Sequence, residues 1–562
     1  MSNEGNRALI AAIRKVVIAG LILLVVWVIL LILRRAIPTS VINQMSAQYQ
    51  TKIPDPSLWD WSRSLWGNFP ISHQIGERLP ITLQLIVLTV LFSLVPTVIL
   101  LSLGFLITSF KIQPVWLSRV ISILRLVLIS GGVTIPVFAV STLFIVFTAI
   151  NSGWSPPMES SFGARLLPAY FCSLPLIWLM VQEGHGILMN RKEYISSLEL
   201  ALDVVVRPLI RLLKLVGAII VMLIAVEQVF VQPGLGRLLL DAAFTRDFPL
   251  IFGIVWVFVI IVVLVKLVAE LIEIIYNYST RQTVTVTPAV EKPVSRTGIP
   301  KGWLIFSLAL VVLIFLVAVV TPLLAPYGGN EVHLMDRLSS PSAKYLLGTD
   351  QLGRDILSRL LYAIRTDVLT GAACAVVLSV VAAGWGMLAA YLKSMNNWIG
   401  DTLEDLIMLP RDICCAFPWL VLLLLLSSIW MGSLPLAFIV GLVMLPHAVG
   451  MMQEAYRSPP QGKGWLQSVL LSIPIAFIFT IAGVTLYVNS LSFLGFGVPP
   501  GIPELGSMLS NEGRQYLLAA PWIAKWPVLC LTLIMLVWVM AGDALLEKLG
   551  FRSKAVWLKT ME

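Results

Sequence analysis

The sequence predicts an all-α polytopic membrane protein, with about twelve transmembrane helices in two pseudo-symmetric six-helix halves. Three observations predict it. The 562-residue chain is 58% hydrophobic and only 12% charged, with a mean hydropathy of +0.91, more apolar surface than a soluble core can hide. Apolar runs of membrane-spanning length recur along its whole length. A Gly- and Pro-rich turn before the last run of the first half returns, in matching position, in the second.

The first apolar run, Val16 to Leu33, carries no charge and has about the length that crosses a ~30 Å hydrocarbon layer. It exceeds a signal-peptide core, and Arg34-Arg35 stands where a small-residue cleavage site would be, so it reads as a retained helix. Further spans are expected near 81–108, 126–150, 166–181, 209–231 and 251–276, then 303–321, 367–391, 413–432, 435–451, 468–493 and 526–545. With both termini cytoplasmic, Lys and Arg are denser on the inner side, the sign that the positive-inside rule requires. The net charge of +9 then reflects topology and contact with anionic membrane lipid, not nucleic acid binding, because no soluble basic domain carries it. Cys172, Cys374, Cys414, Cys415 and Cys530 lack metal-ligand spacing, and His73, His185, His333 and His447 are scattered, so no metal is expected.

The pattern stops between Tyr276 and Trp303 in a Pro-, Thr- and charge-rich stretch. This predicts a cytoplasmic linker, 281–302, between halves 1–280 and 303–562. The two turns are VEQVFVQPGLGRLLLDAAFTRDFPL (226–250) and SLSFLGFGVPPGIPELGSMLSNEGRQYLLAAPW (490–522). Irregular backbone cannot face lipid, so each must lie in water or line a cavity. After each comes a short amphipathic piece, Leu235 to Phe244 and Leu505 to Leu518, read as a re-entrant or surface helix at the outer mouth of a central path. Candidate mouth residues are Glu227, Phe230, Gly234 and Gly236 in the first turn and Phe493, Gly495, Gly497 and Arg514 in the second. Glu227 either contacts solute, closes the outer gate or reaches external water. Lys266 and Glu270 are spaced to pair on one helix face, with Glu273 nearby.

LLGTDQLGRDILSRLLYAIRTD (346–367) offers Thr349 or Asp350 as a helix cap. Ile356, Leu357, Leu360, Leu361 and Ile364 follow on one face, with Arg354, Asp355, Arg359 and Arg365 on the other. That pattern predicts an interfacial helix lying on the membrane.

LGTDQLGRDILSRLLYAIR, LSFLGFGVPPGIPELGSMLSNEGRQYLLAAPW and VFVQPGLGRLLLDA resemble the inner-membrane permeases of the dipeptide/oligopeptide/nickel group of ABC importers. The first half, which also carries WGNFPISHQIGERLPITLQL and TIPVF, is similar to the B-type permease and the second to the C-type, here fused. The resemblance implies the type I importer transmembrane domain in a bacterial cytoplasmic membrane, with a path for a peptide or peptide-like solute between the halves. It implies two ABC ATPase subunits holding ATP and Mg, and an extracytoplasmic substrate-binding protein docking on the mouth residues together with Gly348, Thr349, Asp350, Gly353, Arg354 and Asp355.

The family couples to its ATPases through cytoplasmic helices marked Glu-Ala-Ala…Gly. EYISSLELALDVVVRPLIR begins at Glu193-Tyr194 and carries Arg207 and Arg211, but Leu202 takes the place of the Gly. QEAYRSPPQGKGWLQSVLLSIP keeps Glu454-Ala455 and Gly462, yet Pro459-Pro460 predicts a helix that fails from Ser458 onward. Both elements are degenerate, matched by altered ATPases or marking weak or differently regulated transport. GxxxxGK[ST] does not occur; Gln461-Gly462-Lys463-Gly464 lacks its spacing and hydroxyl, and Ile129-Ser130-Gly131-Gly132 reads as helix packing. No enzymatic activity and no cofactor are expected in this chain. An ion-coupled secondary transporter would plant charges at mid-membrane, where this chain has almost none. A non-transporting scaffold or sensor rests only on the degenerate coupling loops.

Overall fold

Backbone in lipid must satisfy its own N–H and C=O groups, and the described residues do so with α-helices. The computed structural model describes residues 3–35, 37, 39–49, 60–66, 68–109, 137–152, 162–189, 197–283, 301–395, 398–414, 417–430, 436–457, 460, 464–497, 501–510, 516 and 519–549. In chain order the helices are α1 (Asn3–Arg35), α2 (Thr39–Tyr49), α3 (Ile71–Ser109), α4 (Val137–Ser152), α5 (Phe162–Met189), α6 (Ser197–Lys214), α7 (Val216–Val229), α8 (Leu235–Thr245) and α9 (Phe248–Thr283). After the expected linker, of which 284–300 lie outside the described residues, come α10 (Lys301–Leu324), α11 (Ile356–Ser394), α12 (Trp398–Cys414), α13 (Trp419–Trp430), α14 (Leu436–Arg457), α15 (Trp465–Phe493), α16 (Leu505–Leu509) and α17 (Trp522–Leu549).

Eight of these helices are long and apolar enough to cross a membrane, and they fall on eight of the expected spans. The span expected at 209–231 is instead a bent pair, α6 and α7, at 63° to each other. The break sits at Leu215, whose φ of −84° and ψ of 11° leave the helical region. Before it, Asp203, Arg207, Arg211 and Lys214 recur on one face of α6, which makes that segment amphipathic. The spans expected at 413–432 and 435–451 fall on α13 and α14, whose apolar stretches among the described residues are Trp419–Ile429 and Ile439–Gln453. The one expected at 126–150 begins, among the described residues, at Val137. Apolar runs gave no hint of α12, whose charges, Glu404 and Arg411 among them, break the hydropathy signal.

The parts before and after the gap grip each other reciprocally. α13 packs against α7, α8 and α9, while α4 packs against α17. α4 and α13 follow the similar Pro-containing stretches TIPVF and AFPWL, and α9 and α17 close their respective parts. Each part therefore lays a helix that follows such a stretch on the last described helix of the other. Phe258 and Val262 of α9 and Leu424 of α13 are fully buried in the core that crosses this boundary. Away from the re-entrant turns, Lys15 pairs with Glu270 at 3.1 Å and Lys214 with Glu273 at 2.7 Å. The two acids of α9 thus tie it to α1 and α6.

Residues 346–367 do not form a separate interfacial helix. α11 runs unbroken for 39 residues, about 58 Å at 1.5 Å per residue, and its first turns are continuous with the span. Its cap is Asp355, whose Oδ2 accepts the Ser358 N–H at 2.8 Å, rather than Thr349 or Asp350. The charges turn inward: Asp350 is fully buried, accepting from Arg354 Nε at 2.6 Å and from Arg359 Nη1. Its Oδ1 accepts the Leu352 and Arg354 amides, both at 2.9 Å. The preceding loop can fold back so tightly because Gly348 and Gly353 take φ of 84° and 74°, and a Cβ on Gly353 would lie 1.8 Å from the His333 carbonyl oxygen. Replacing Asp350 by Asn should leave two buried guanidinium groups short of a counter-charge and cost about 3–5 kcal/mol. The check is the thermal midpoint of the purified chain in detergent; an unchanged midpoint would mean that solvent, not Asp350, neutralises both arginines.

Candidate functional site at the paired re-entrant turns

A helix that begins inside a bundle exposes N–H groups that water cannot reach. α8 begins at Leu235 after Gly234, which has no side chain to cap it, so the acceptors come from other helices. The Leu235 N–H donates to Thr82 Oγ1 of α3 at 2.8 Å, that hydroxyl donates to Glu227 Oε1 of α7 at 2.8 Å, and Glu227 Oε2 accepts the Arg237 N–H at 3.1 Å. Glu227 is completely buried. It reaches neither external water nor an open path; it is a remote cap, a carboxylate at the positive end of α8.

The second turn repeats this arrangement with exchanged residues. The cap position of α16, Glu504, makes no side-chain cap bond. Asn489 Oδ1 of α15 accepts the Gly506 N–H at 2.5 Å, and Asn489 Nδ2 donates to Asp367 Oδ2 of α11 at 3.0 Å. The hydroxyl and acid of the first turn, Thr82 and Glu227, become the acid and amide Asp367 and Asn489. Each turn presents the same dipeptide, Leu235-Gly236 and Leu505-Gly506. The glycines are required by close approach: a Cβ on Gly236 would lie 2.7 Å from the Ile224 Cα, and one on Gly506 2.2 Å from the Asn489 carbonyl oxygen.

The turns meet across the boundary. Phe244 of α8 stacks on Phe496 with ring centroids 4.5 Å apart, and Phe138 of α4 stacks on Phe493 at 4.5 Å. Gly495 sits between them at φ 93°, where a Cβ would lie 2.9 Å from the Phe244 ring. Gly497 is pressed against Ser492, whose Oγ a Cβ would meet at 2.0 Å. Phe230 is buried against Phe171 of α5, with centroids 5.9 Å apart.

Loops clasp both turns. Trp66 Nε1 donates to the Thr245 carbonyl at 2.8 Å, and Trp522 Nε1 to the Thr349 carbonyl at 3.1 Å. Asp247 accepts from the Ser64 hydroxyl and from the Leu65 N–H at 3.1 Å. Burial pushes its carboxyl above the ordinary range, and these donors partly offset the rise. On the 334–349 loop, hydrogen bonds from Lys344 and Tyr345 hold the Asp336 carboxyl below that range.

Of the expected mouth residues, all but Arg514 gather at these turns or on the loop around Asp350; Arg514 lies outside the described residues. So do Glu193, Tyr194 and Gly462 of the expected coupling elements. Arg207 is half-exposed and pairs with Asp203 at 2.9 Å. Arg211 lies on the same face of α6, Glu454 is in α14 and Ala455 is buried. α14 is described as far as Arg457, and the failure expected from Ser458 onward falls at Ser458 and Pro459, which lie outside the described residues. Missed in the sequence were Thr82, Asp367, Asn489 and the rings of Phe138, Phe244 and Phe496. Thr82 and Asp367 lie in the second long helix of each part, α3 and α11, among other polar residues that gave them no distinction in the sequence.

A cavity of about 100 Å³ lies between the two parts, lined by Lys214 and Lys266 from the first and by Trp419, His447, Thr480 and Tyr487, among others, from the second. It falls short of the roughly 300 Å³ of a small-molecule site. Among the described residues no group of His, Cys, Asp or Glu could hold a metal ion. Replacing Glu227 by Ala, or Asn489 by Ala, should orphan the N-terminal amides of α8 or α16 and cost about 1–3 kcal/mol, read as a lowered thermal midpoint. Midpoints equal to that of the unaltered chain would contradict the remote-cap assignment.

No family model matches the chain. The dipeptide transport system permease protein DppC of Haemophilus influenzae is 30% identical over 301 residues, which take in 99% of that protein and 48% of this chain. The di/tripeptide transport system permease protein DppC of Pseudomonas aeruginosa is 32% identical over 278 residues, 88% of its length and 45% of this chain. The glutathione transport system permease protein GsiD of Pectobacterium atrosepticum is 29% identical over 265 residues, 85% of its length and 44% of this chain. With buried polar caps at two equivalent turns, a helical multi-pass fold and near-complete coverage of a whole permease by half of its length, the chain belongs to the permease family of the dipeptide ABC importers.

Proposed function

We propose that the chain is two permeases in one polypeptide, 1–280 of the B type and 303–562 of the C type joined by the cytoplasmic linker 281–302. Together they form the transmembrane path of a peptide importer. The observation that carries this reading is that relatives whose own length is 99% matched occupy 48% of the chain, which leaves room for a second permease. The reciprocal packing of α4 on α17 and α13 on α9 supports it.

In this reading both termini face the cytoplasm and the re-entrant turns face outward. A substrate-binding protein docks on the turns and on the loop around Gly348 to Asp355, and delivers a dipeptide or peptide-like solute. Two ATPase subunits, holding ATP and Mg, bind the inner face near α6 and the end of α14, and their closure parts the stacked turns. No bond of the solute is made or broken; this chain supplies a path and two states of its boundary.

The test is reconstitution of the chain in vesicles with its ATPases and binding protein. Labelled dipeptide should accumulate only with ATP and loaded binding protein, and uptake driven by an ion gradient on the chain alone would contradict the proposal. Replacing Gly495 by Leu forces a side chain into the left-handed region and onto Phe244. It should cut uptake by more than about tenfold while membrane insertion persists, and uptake at the unaltered rate would contradict a gating role for the turn.

A further inference from the structure

The cavity between the two parts has a chemistry of its own. Two ammonium groups line it, Lys214 at the end of α6 and Lys266 on α9, both from the first part. Its second-part wall is aromatic: Trp419 and Tyr487 stack face to face with centroids 3.8 Å apart and planes 3° from parallel, and the His447 ring meets Tyr487 edge-on at 6.3 Å. Lys214 Nζ gives one hydrogen bond to Glu273 at 2.7 Å, and an ammonium has three N–H donors, so its donor capacity exceeds that one bond.

Cations at one side and an apolar aromatic wall at the other suit a solute that carries a carboxylate beside an apolar or aromatic side chain. In low-dielectric surroundings a charge-assisted bond to such a carboxylate is strong, and the wall of Trp419 and Tyr487 provides the apolar contact. Along α15 the lining runs from Phe479 to Tyr487, about 12 Å at 1.5 Å per residue, enough for an extended dipeptide of roughly 7 Å plus its termini. Its volume of about 100 Å³ takes the carboxylate end of such a solute first.

We infer that this cavity is a binding site for the C-terminal carboxylate and adjoining apolar side chain of a short peptide, with Lys214 and Lys266 receiving the carboxylate and Trp419 with Tyr487 receiving the side chain. The inference rests on the peptide-permease function proposed above, and its test does not require transport. The probe is alanyl-4-fluorophenylalanine, as free acid and as C-terminal amide, added to the purified full chain in lipid nanodiscs and followed by 19F line broadening.

The free acid should bind about tenfold more tightly than the amide. The double variant Lys214→Gln/Lys266→Gln should remove that difference while keeping the helical circular dichroism of the unaltered chain, and Lys214→Arg/Lys266→Arg should retain it. Trp419→Ala should weaken both probes alike. Equal binding of acid and amide by the unaltered chain, no broadening of either, or a preference that survives in the double Gln variant would overturn the inference. Acid-selective binding in nanodiscs alongside absent ATP-driven uptake in the full assembly would leave the site standing and reject the importer function.

Discussion

An amide N–H at the start of a helix buried in a bundle has to find an acceptor, and in this protein the acceptor comes from a neighbouring transmembrane helix. Glu227 with Thr82 does this for α8, and Asn489 with Asp367 for α16. The cost of leaving such a donor unpaired is about 1–3 kcal/mol, a large share of the ~5–15 kcal/mol that holds a folded domain together. The caps also fix geometry. Bringing the start of α8 to Glu227 and of α16 to Asn489 demands glycine at positions 236 and 506, where any Cβ would strike the preceding helix. The turns are therefore rigid pieces held on rigid helices.

Rigid turns on two parts can act as one gate only if they touch, and they do. Phe244 meets Phe496 and Phe138 meets Phe493, and the turns touch through ring faces. Stacked rings of this kind contribute about 0.5–1.5 kcal/mol beyond their burial, in addition to the core that α13 and α4 bury across the same boundary. The strong interactions lie within each part: the Asp350 cluster, the capped turns and the Trp66 and Trp522 clasps. Opening along this boundary would leave these units whole and widen the cavity lined by Tyr487 and the two lysines.

The sequence made the fold legible because composition and apolar run length act locally. Twelve places were expected to carry a span, and among the described residues each carries a helix. Runs could not show that the one at 209–231 breaks at Leu215, since the break is a single backbone conformation and both flanks stay apolar. The charged face of Arg354, Asp355 and Arg359 looked solvated because alternation along a helix does not reveal a loop folding back to cover it. The repeat was legible in the turns but its chemistry was not. Ten residues separate Glu227 from Arg237, seventeen separate Asn489 from Gly506, and the exchange of acid, hydroxyl and amide between helices disguises what the shared Leu-Gly dipeptide keeps in place. Thr82 and Asp367 act on residues more than a hundred positions away, and such contacts belong to the packing.

The account stands on the two turns being separable partners across one boundary. The most direct measurement is disulfide trapping of Phe244→Cys/Phe496→Cys, whose parent rings lie 4.5 Å apart, in vesicles holding the complete transporter. Oxidation should link the pair in high yield and bring ATP-driven uptake to background, and a reductant should restore it. Full-rate uptake with the pair quantitatively linked would contradict the account, because solute would then be crossing without the turns parting.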